Sequence, residues 1–346
     1  MSSLRDLIGL ELPIVQAPMA GAQGSALALA VTNAGGLGSL PCAMLSPEAM
    51  RGELEVLAAR ARGPWNVNFF CHAPPRPDAA REAAWRDALA GCYAEFGIDP
   101  AGIPAGPGRR PFDADAADLL ESFRPPVVSF HFGLPSPELL ARVKSWGSKV
   151  ISSATTVEEA RWLEARGADA VIAQGLEAGG HRGSFLSDDL SLQMGSVALL
   201  RQVVRAVRVP VIAAGGIADS AGVRAALAMG AAAVQLGTVW LLCPESGISA
   251  MHRAALRSEG ARHTVLTNLF TGRPARGIVN RFIREFGPIS PLAPEFPLAA
   301  AAVAPLRAAA EARGSGEFSP LWAGQNASGC REIGAAELLR ELAGRS

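Results

Sequence analysis

Short apolar runs recur along the chain, and a segment with helical character follows each of them. Nearly every position in these runs is apolar, which is typical of strands that are buried on both faces of a parallel sheet. Seven of the runs are clearly paired with the helix that follows. The runs lie at 12–19, 37–42, 65–70, 126–132, 149–154, 169–175, 210–216 and 232–238.

The segments between the runs carry signals for the start and end of helices. Thr156 with Glu159 has the pattern of a capping box, and Gly167 is placed to end the same helix. Asp219 and Gly230 bracket a later helix in the same way. Eight strand–helix units predict a (β/α)8 TIM barrel. A doubly wound open sheet is the alternative, although eight units are many for an open sheet.

Two regions lie outside this repeat. Residues 92–124 are rich in Gly and Pro and form an insertion before the fourth strand. Residues 258–346 follow the eighth unit and contain two helix-like stretches, "AAVAPLRAAAEARG" and "AAELLRELAG". We therefore expect a barrel domain over 1–257, which includes the insertion, and a C-terminal helical extension over 258–346 that packs on the barrel as a cap.

Composition narrows the class of protein. Hydrophobic residues make up 49% of the 346 residues, which excludes a disordered chain. Lys+Arg and Asp+Glu both number 32 and no basic run occurs, so nucleic acid and membrane surfaces are not expected partners. The chain shows no signal peptide, and its five cysteines form no CxxC pair, so we expect a cytoplasmic protein with reduced thiols and no metal site.

In a barrel of this kind the chemistry lies at the carboxyl ends of the strands. Met19 follows the first strand, where core packing and contact with a flat cofactor ring are both open. Asn66 and Asn68 share one face of the third strand because side chains alternate along it. Asn68 is nearer the carboxyl end and is therefore the better candidate for a ligand contact, with a structural amide as the alternative.

The next three strands end in further polar groups. His131 ends the fourth strand, where a ligand contact and a structural hydrogen bond are equally open, and Ser153 ends the fifth among small hydroxylic residues. The sixth ends at Gln174 and runs into "GLEAGGHRG". Glycines allow positive φ and close approach of a ligand to the backbone. Such a loop holds a core side chain poorly, so His181 is the candidate working residue.

The last two strands end in glycines, at "AAGGIAD" and "QLGT". Loops at these positions of a barrel often bind phosphate through backbone N–H groups. Gly215, Gly216, Gly237 and Thr238 fit that function without any lysine or arginine. No GxGxxG motif occurs between a strand and a helix, so a tightly held NAD is not indicated.

Several of these blocks occur together in one known family. "APMAG", "VNFF", "SFHFG", "SSATTVEEA", "AQGLEAGGHRG", "PVIAAGGIAD", "AVQLGT" and "TGRPARG" resemble the FMN-dependent nitronate monooxygenases, formerly called 2-nitropropane dioxygenases. The resemblance covers roughly residues 10–330. The chain is more distantly similar to flavin-dependent enoyl-acyl carrier protein reductases and NADH:quinone reductases.

The resemblance implies FMN at the mouth of the barrel, with its phosphate over the last two loops. His181 corresponds to the histidine of the active site, and His131 and Ser153 are expected on the substrate's side. The residues expected to bind the cofactor are Met19, Asn68, Gln174, Gly179, Gly180, Gly215, Gly216, Gln235, Leu236, Gly237 and Thr238.

The implied reaction oxidises a small alkyl nitronate, such as propionate 3-nitronate, with O2 and releases nitrite and an aldehyde or keto acid, a detoxification that needs no NAD(P)H. His181 could orient the anion or remove an α-proton, since the ordinary pKa of histidine, about 6.5, allows both. Relatives can carry Tyr and Lys in the C-terminal segment, where this chain has Phe296 and Arg307.

Two alternatives remain open. One is an NAD(P)H-dependent flavin reductase that acts on a quinone or an enoyl thioester, and the other is a flavin-binding protein without turnover. An ionisable side chain in a glycine-rich mouth argues against simple binding. The sequence itself indicates no oligomeric state, and a homodimer is left open.

Overall fold

Eight parallel strands form a barrel in the computed structural model, which describes residues 4–103 and 109–345. The strands are β1 (Ile14–Gln16), β2 (Gly38–Pro41), β3 (Trp65–Phe70), β4 (Val127–His131), β5 (Lys149–Ala154), β6 (Ala170–Gln174), β8 (Val211–Ala214) and β9 (Ala233–Leu236). Their spatial order is β1-β9-β8-β6-β5-β4-β3-β2. Hydrogen bonds from Gln16 N to Leu37 O (2.9 Å) and from Leu37 N to Ile14 O (3.0 Å) join β1 to the start of β2 and close the barrel.

Each strand lies within one of the apolar runs of the sequence, which confirms the predicted TIM barrel. All but a few side chains of these strands are buried, as their composition predicts. Apolar side chains from the barrel strands form one cluster with Leu4 of the first helix and with Leu10.

Helices surround the barrel in the described part of the chain. The α-helices are α1 (Leu4–Ile8), α2 (Ser25–Asn33), α3 (Pro47–Arg60), α4 (Ala79–Ala88), α5 (Ala90–Phe96), α6 (Ala114–Glu121), α7 (Pro137–Ser145), α8 (Val157–Ala165), α9 (Ser196–Ala206), α10 (Ser220–Ala228), α11 (Ala250–Arg257), α12 (Arg281–Phe286), α13 (Ala299–Ala312) and α14 (Ala335–Leu342). Short 3-10 turns occur at Pro100–Gly102, Leu190–Leu192, Thr238–Trp240 and Glu259–Arg262.

The third strand–helix unit differs from the pattern inferred from the sequence. Helices α4 and α5, which the sequence pairs with β3, pack on α13 of the C-terminal region. Helix α6 packs between α3 and α7, although it falls inside the predicted insertion. Its buried face, with Leu119 and Leu120, joins the apolar cluster under β3 and β4. Of the insertion predicted over 92–124, residues 104–108 lie outside the described residues.

The C-terminal region contains strands as well as helices. Strands β10 (Thr264–Thr267) and β11 (Ala275–Ile278) pair antiparallel, and β11 also pairs with β7 (Gly180–His181). These short strands are not evident in the sequence. Helix α14 returns to the barrel and packs on α2 and α10. The domain boundary between 257 and 258 stays a prediction, since β7 in the barrel half pairs with β11 beyond it.

Two kinds of feature are absent from residues 4–103 and 109–345. No helix there has the length and hydropathy to cross a membrane. In the same ranges, no group of three or more His, Cys, Asp or Glu side chains is arranged to hold a metal ion.

Candidate functional site

A cleft opens at the carboxyl ends of the barrel strands, and every residue predicted for the site lines it. The C-terminal region adds a second wall, which includes Trp322, Ala323, Gly324 and Asn326. The predicted residues that line the cleft are Met19, Asn68, His131, Ser153, Gln174, Gly179, Gly180, His181, Gly215, Gly216, Gln235, Leu236, Gly237 and Thr238.

The backbone at His181 is held by a sheet and by two side chains. His181 lies on β7, opposite Ala275 of β11. Its carbonyl accepts hydrogen bonds from Gln174 Nε2 (3.0 Å) and His131 Nε2 (3.2 Å). Gln174 Oε1 in turn accepts from the N–H of Gly183 (2.8 Å). The Gln174 amide, predicted as a cofactor contact, therefore also fixes the loop that carries His181.

The arginine that follows His181 is structural. Arg182 is fully buried and donates to the carbonyls of Gln174 and Gly175, both at 2.7 Å, and to Gln193 Oε1 at 2.6 Å. Burial lowers its pKa to about 10, which leaves the group charged at neutral pH. Arg276 of β11 donates to the next carbonyl, that of Leu176, at 2.8 Å. The two guanidinium groups hold three successive carbonyls of the loop, and neither was predicted from the sequence.

The glycines around His181 are required for different structural reasons. A Cβ at Gly183 would lie 2.8 Å from His131 Cε1, and one at Gly179 would lie 2.6 Å from the backbone of Ala323. These two glycines therefore make room for protein neighbours, a cause that the sequence pattern, which suggested close approach of a ligand to the backbone, did not indicate. Gly180 has φ +71° and open space where a Cβ would be. Of the three, Gly180 alone leaves the cleft open by lacking a side chain.

The imidazole of His181 lies in an aromatic enclosure. Its Nε2 hydrogen-bonds the hydroxyl of Thr271 at 2.8 Å. Burial, together with the positive charge of Arg109, holds the pKa of His181 well below its ordinary value. The lowered pKa disfavours a positively charged imidazole in the folded protein. The surrounding ring centroids are those of Phe296 (5.3 Å), Trp322 (5.6 Å), Phe132 (6.2 Å) and Phe70 (6.4 Å).

His131 and Ser153 line the cleft but also bond to each other. His131 Nδ1 accepts from Ser153 Oγ at 3.0 Å, while Nε2 donates to the His181 carbonyl. Both ring nitrogens are thus occupied, and burial lowers the pKa of His131 to about 4. This arrangement favours the structural hydrogen bond over the substrate contact, which were equally open from the sequence.

The two asparagines of β3, Asn66 and Asn68, make different hydrogen bonds. Asn66 Nδ2 donates to Ser39 Oγ (3.0 Å) and Ser129 Oγ (2.9 Å), which links three strands inside the barrel. Asn68 Nδ2 donates to Ser129 O (3.2 Å) and Oγ (3.0 Å). Among the described residues no partner hydrogen-bonds Asn68 Oδ1, so this acceptor is available on the wall of the cleft.

The loops after β8 and β9 present unused backbone donors. Gly215 and Gly216 have φ of +115° and +74°, which turn the chain sharply at the cleft. Within the described residues, the N–H groups of Gly216, Gly237 and Thr238 make no hydrogen bond. Gly324 N donates to Thr238 Oγ1 at 2.9 Å, which ties the C-terminal wall to this loop. Three N–H groups without partners in the described part of the chain, on residues that line the cleft, fit a phosphate group.

Arg109 is a charged residue of the cleft that was not predicted from the sequence. Arg109 comes from the predicted insertion and lines the cleft, with its guanidinium carbon 5.4 Å from the ring centroid of Phe296. No carboxylate pairs with its side chain in the described part of the structure. Burial lowers the pKa of Arg109 from its ordinary value. The sequence around it, "GRRPFD", does not distinguish it from the exposed Arg110.

The buried histidines predict a loss of stability in acid. Burial lowers the pKa of His252, which is 8% exposed, from 6.5 to about 4. Between those values the unfolded chain binds a proton that the folded chain does not, so the free energy of unfolding falls as pH drops, by up to about 3 kcal/mol from this group. Urea unfolding at pH 7, 6 and 5 measures the fall, and His252→Gln should remove part of it. A stability that is constant over this range contradicts the expectation.

The comparisons with known proteins agree with this site. A family model described as nitronate monooxygenase matches residues 1–344. A Pseudomonas aeruginosa protein named nitronate monooxygenase is 45% identical over 344 residues, which covers 97% of this chain and 96% of the relative. A protein of the same name from Paraburkholderia phytofirmans is 44% identical over 346 residues, which covers 98% of this chain and 93% of the relative.

Solved structures of similar proteins agree with these sequence matches. In the solved structure of nitroalkane oxidase from Streptomyces ansochromogenes, the chain is 42% identical in sequence to this one, with a TM-score of 0.88. The match covers 99% of this chain and 97% of the nitroalkane oxidase chain. FabK from Thermotoga maritima is more distant, at 28% identity and a TM-score of 0.70. The match covers 99% of this chain and 95% of the FabK chain. The chain therefore belongs to the nitronate monooxygenase family of flavin-dependent oxidoreductases.

Proposed function

We propose that this protein is an FMN-dependent enzyme that oxidises alkyl nitronates, such as propionate 3-nitronate, with O2 to nitrite and an aldehyde or keto acid. The observation that carries the proposal is a cleft in which His181 and Arg109 both lie against Phe296 and which backbone N–H groups without hydrogen-bond partners among the described residues also line. A small anion and a phosphate-bearing flavin are the ligands that such a cleft accommodates.

The residues present fit FMN. The N–H groups of Gly216, Gly237 and Thr238 would hold its phosphate, and Asn68 Oδ1 would accept a hydrogen bond from the ring system. Met19 lies beside Gly237 and offers a soft apolar contact to the flat ring. When bound, the flavin supplies the redox chemistry with O2, while the protein positions the substrate.

The substrate is expected to arrive as an anion. Arg109 and Arg273 are the arginines whose charges act on His181, and both disfavour a further positive charge there. The same charges attract a nitronate. A nitronate needs no proton removed, and a histidine with a strongly lowered pKa is a weak base. The cleft therefore favours nitronates over neutral nitroalkanes, and His181 orients the anion by donating a hydrogen bond from an N–H of its neutral ring.

Oxygen consumption tests this function. Purified protein with FMN should consume O2 and release nitrite with propionate 3-nitronate in the absence of NAD(P)H. The neutral nitro form, 3-nitropropionate, is the matched comparison and should react much more slowly, because its α-proton must first be removed. If neither form is oxidised while NADH or NADPH drives reduction of a quinone or an enoyl thioester, the protein is a reductase instead.

A homodimer and a cytoplasmic location remain predictions.

A further inference from the structure

Arg109 differs from the other arginines near the cleft. Arg307 also lines the cleft, but its Nε donates to Glu311 Oε1 at 2.8 Å. Arg273 lies with its guanidinium carbon 4.2 Å from the Phe132 centroid and donates to the carbonyl of Ser184. Arg109 lines the cleft and has no carboxylate partner in the described chain.

The positions of Arg109 and His181 define two points of recognition. Both groups lie against Phe296, with the His181 ring centroid at 5.3 Å and the Arg109 guanidinium carbon at 5.4 Å from the phenyl centroid. A partly buried guanidinium without a counter-ion is a strong binding site for a planar anion, since it offers two parallel N–H groups to a carboxylate. A ligand at His181 that extends past this ring brings its next group to Arg109.

We propose that Arg109 binds a carboxylate carried by the substrate and thereby determines specificity for nitronates with a second anionic group a few bonds from the reacting carbon. The inference rests on the proposed function. Arg109 is a recognition residue, because the reacting atoms lie at His181.

The test compares two substrates across matched variants. Propionate 3-nitronate carries the carboxylate, and ethyl nitronate lacks it. Arg109→Ala should lower the ratio of kcat/KM for propionate 3-nitronate to that for ethyl nitronate at least about tenfold, chiefly through KM, as expected when a charge-assisted hydrogen bond is lost. Arg109→Lys should restore part of the ratio. Arg110→Ala is the control, since Arg110 is exposed and pairs with Asp113 (3.3 Å) and Asp115 (3.2 Å).

Each outcome decides between explanations. An unchanged ratio in Arg109→Ala overturns the proposal. If the ratio is unchanged because both nitronates lose activity equally, Arg109 acts at the nitronate group itself. If the wild-type protein oxidises neither nitronate, the proposed function fails first. Binding of 3-nitropropionate, measured by isothermal titration calorimetry, then still tests Arg109, because its carboxylate should bind at least about tenfold more weakly to Arg109→Ala.

Discussion

Replacing His181 by asparagine is expected to lower kcat with propionate 3-nitronate at least about a hundredfold, the scale on which loss of one positioned hydrogen-bond donor in an active site lowers kcat. Asparagine is smaller than imidazole and cannot reach both Thr271 and the cleft. The loop itself should survive, because its hydrogen bonds run through the His181 carbonyl and through Arg182. FMN content, read from the visible spectrum, should therefore stay at the wild-type level.

His263→Asn is the matched control, since His263 is an exposed histidine of the C-terminal region. It should retain wild-type turnover. Full turnover in His181→Asn would remove His181 from the mechanism. Loss of FMN together with activity would instead show that the side chain maintains the cleft and does not act on the substrate.

Replacing Gly237 by valine is expected to abolish FMN binding without unfolding the protein. The φ of Gly237 is −119°, which a β-branched residue adopts, and its Cβ would meet Ala17 and Met19 at ordinary contact distances of 3.5 and 3.6 Å. The two further methyl groups would add bulk in the part of the cleft that Met19, Gly237 and Thr238 line. The purified variant should be colourless, with a circular dichroism spectrum like that of the wild type.

Gly52→Val provides the control for this substitution. Gly52 lies on α3, and a Cβ added there would have no neighbouring atom within 4 Å, so the added bulk meets only solvent. That variant should bind FMN in the same proportion as the wild type. A fully yellow Gly237→Val protein would show that the phosphate lies elsewhere.

The barrel could be predicted because its signals are local. Strands buried on both faces read as continuous apolar runs, and capping residues mark the helices between them. Thr156 Oγ1 accepts from Glu159 N at 3.1 Å, which is one half of the predicted capping box. In the other half, the Glu159 carboxylate accepts from the N–H of Thr155 instead of that of Thr156. The Glu159 carboxylate bonds Thr155 and also the N–H groups of Phe185 and Leu186, a long-range connection that no local pattern shows.

The third helix of the ring was misassigned for a related reason. Helices α4 and α6 are both short and amphipathic, and the sequence places α4 first after β3. What separates them is the partner each one packs against, α13 for α4 and the neighbouring helices α3 and α7 for α6. Strands β10 and β11 were missed because four-residue strands with mixed polarity have no clear periodicity.

The positions of the site residues followed from the rule that function lies at the carboxyl ends of barrel strands. What the sequence could not show is which groups are already bonded to the protein. Gln174 and His131 both hold the His181 carbonyl, and Arg182 is a buried structural cation. Arg109 and Trp322 reach the cleft from distant parts of the chain, and only the folded structure brings them there.

Reduction of the bound flavin under argon is the most direct test of the central claim, that this cleft takes electrons from a nitronate. Protein with FMN would be mixed rapidly with propionate 3-nitronate in one experiment and with NADH or NADPH in another, and the flavin absorbance followed. Rapid bleaching by the nitronate and none by either nicotinamide is the expected result. Bleaching by NADH or NADPH alone would contradict the claim and assign the protein to the reductases.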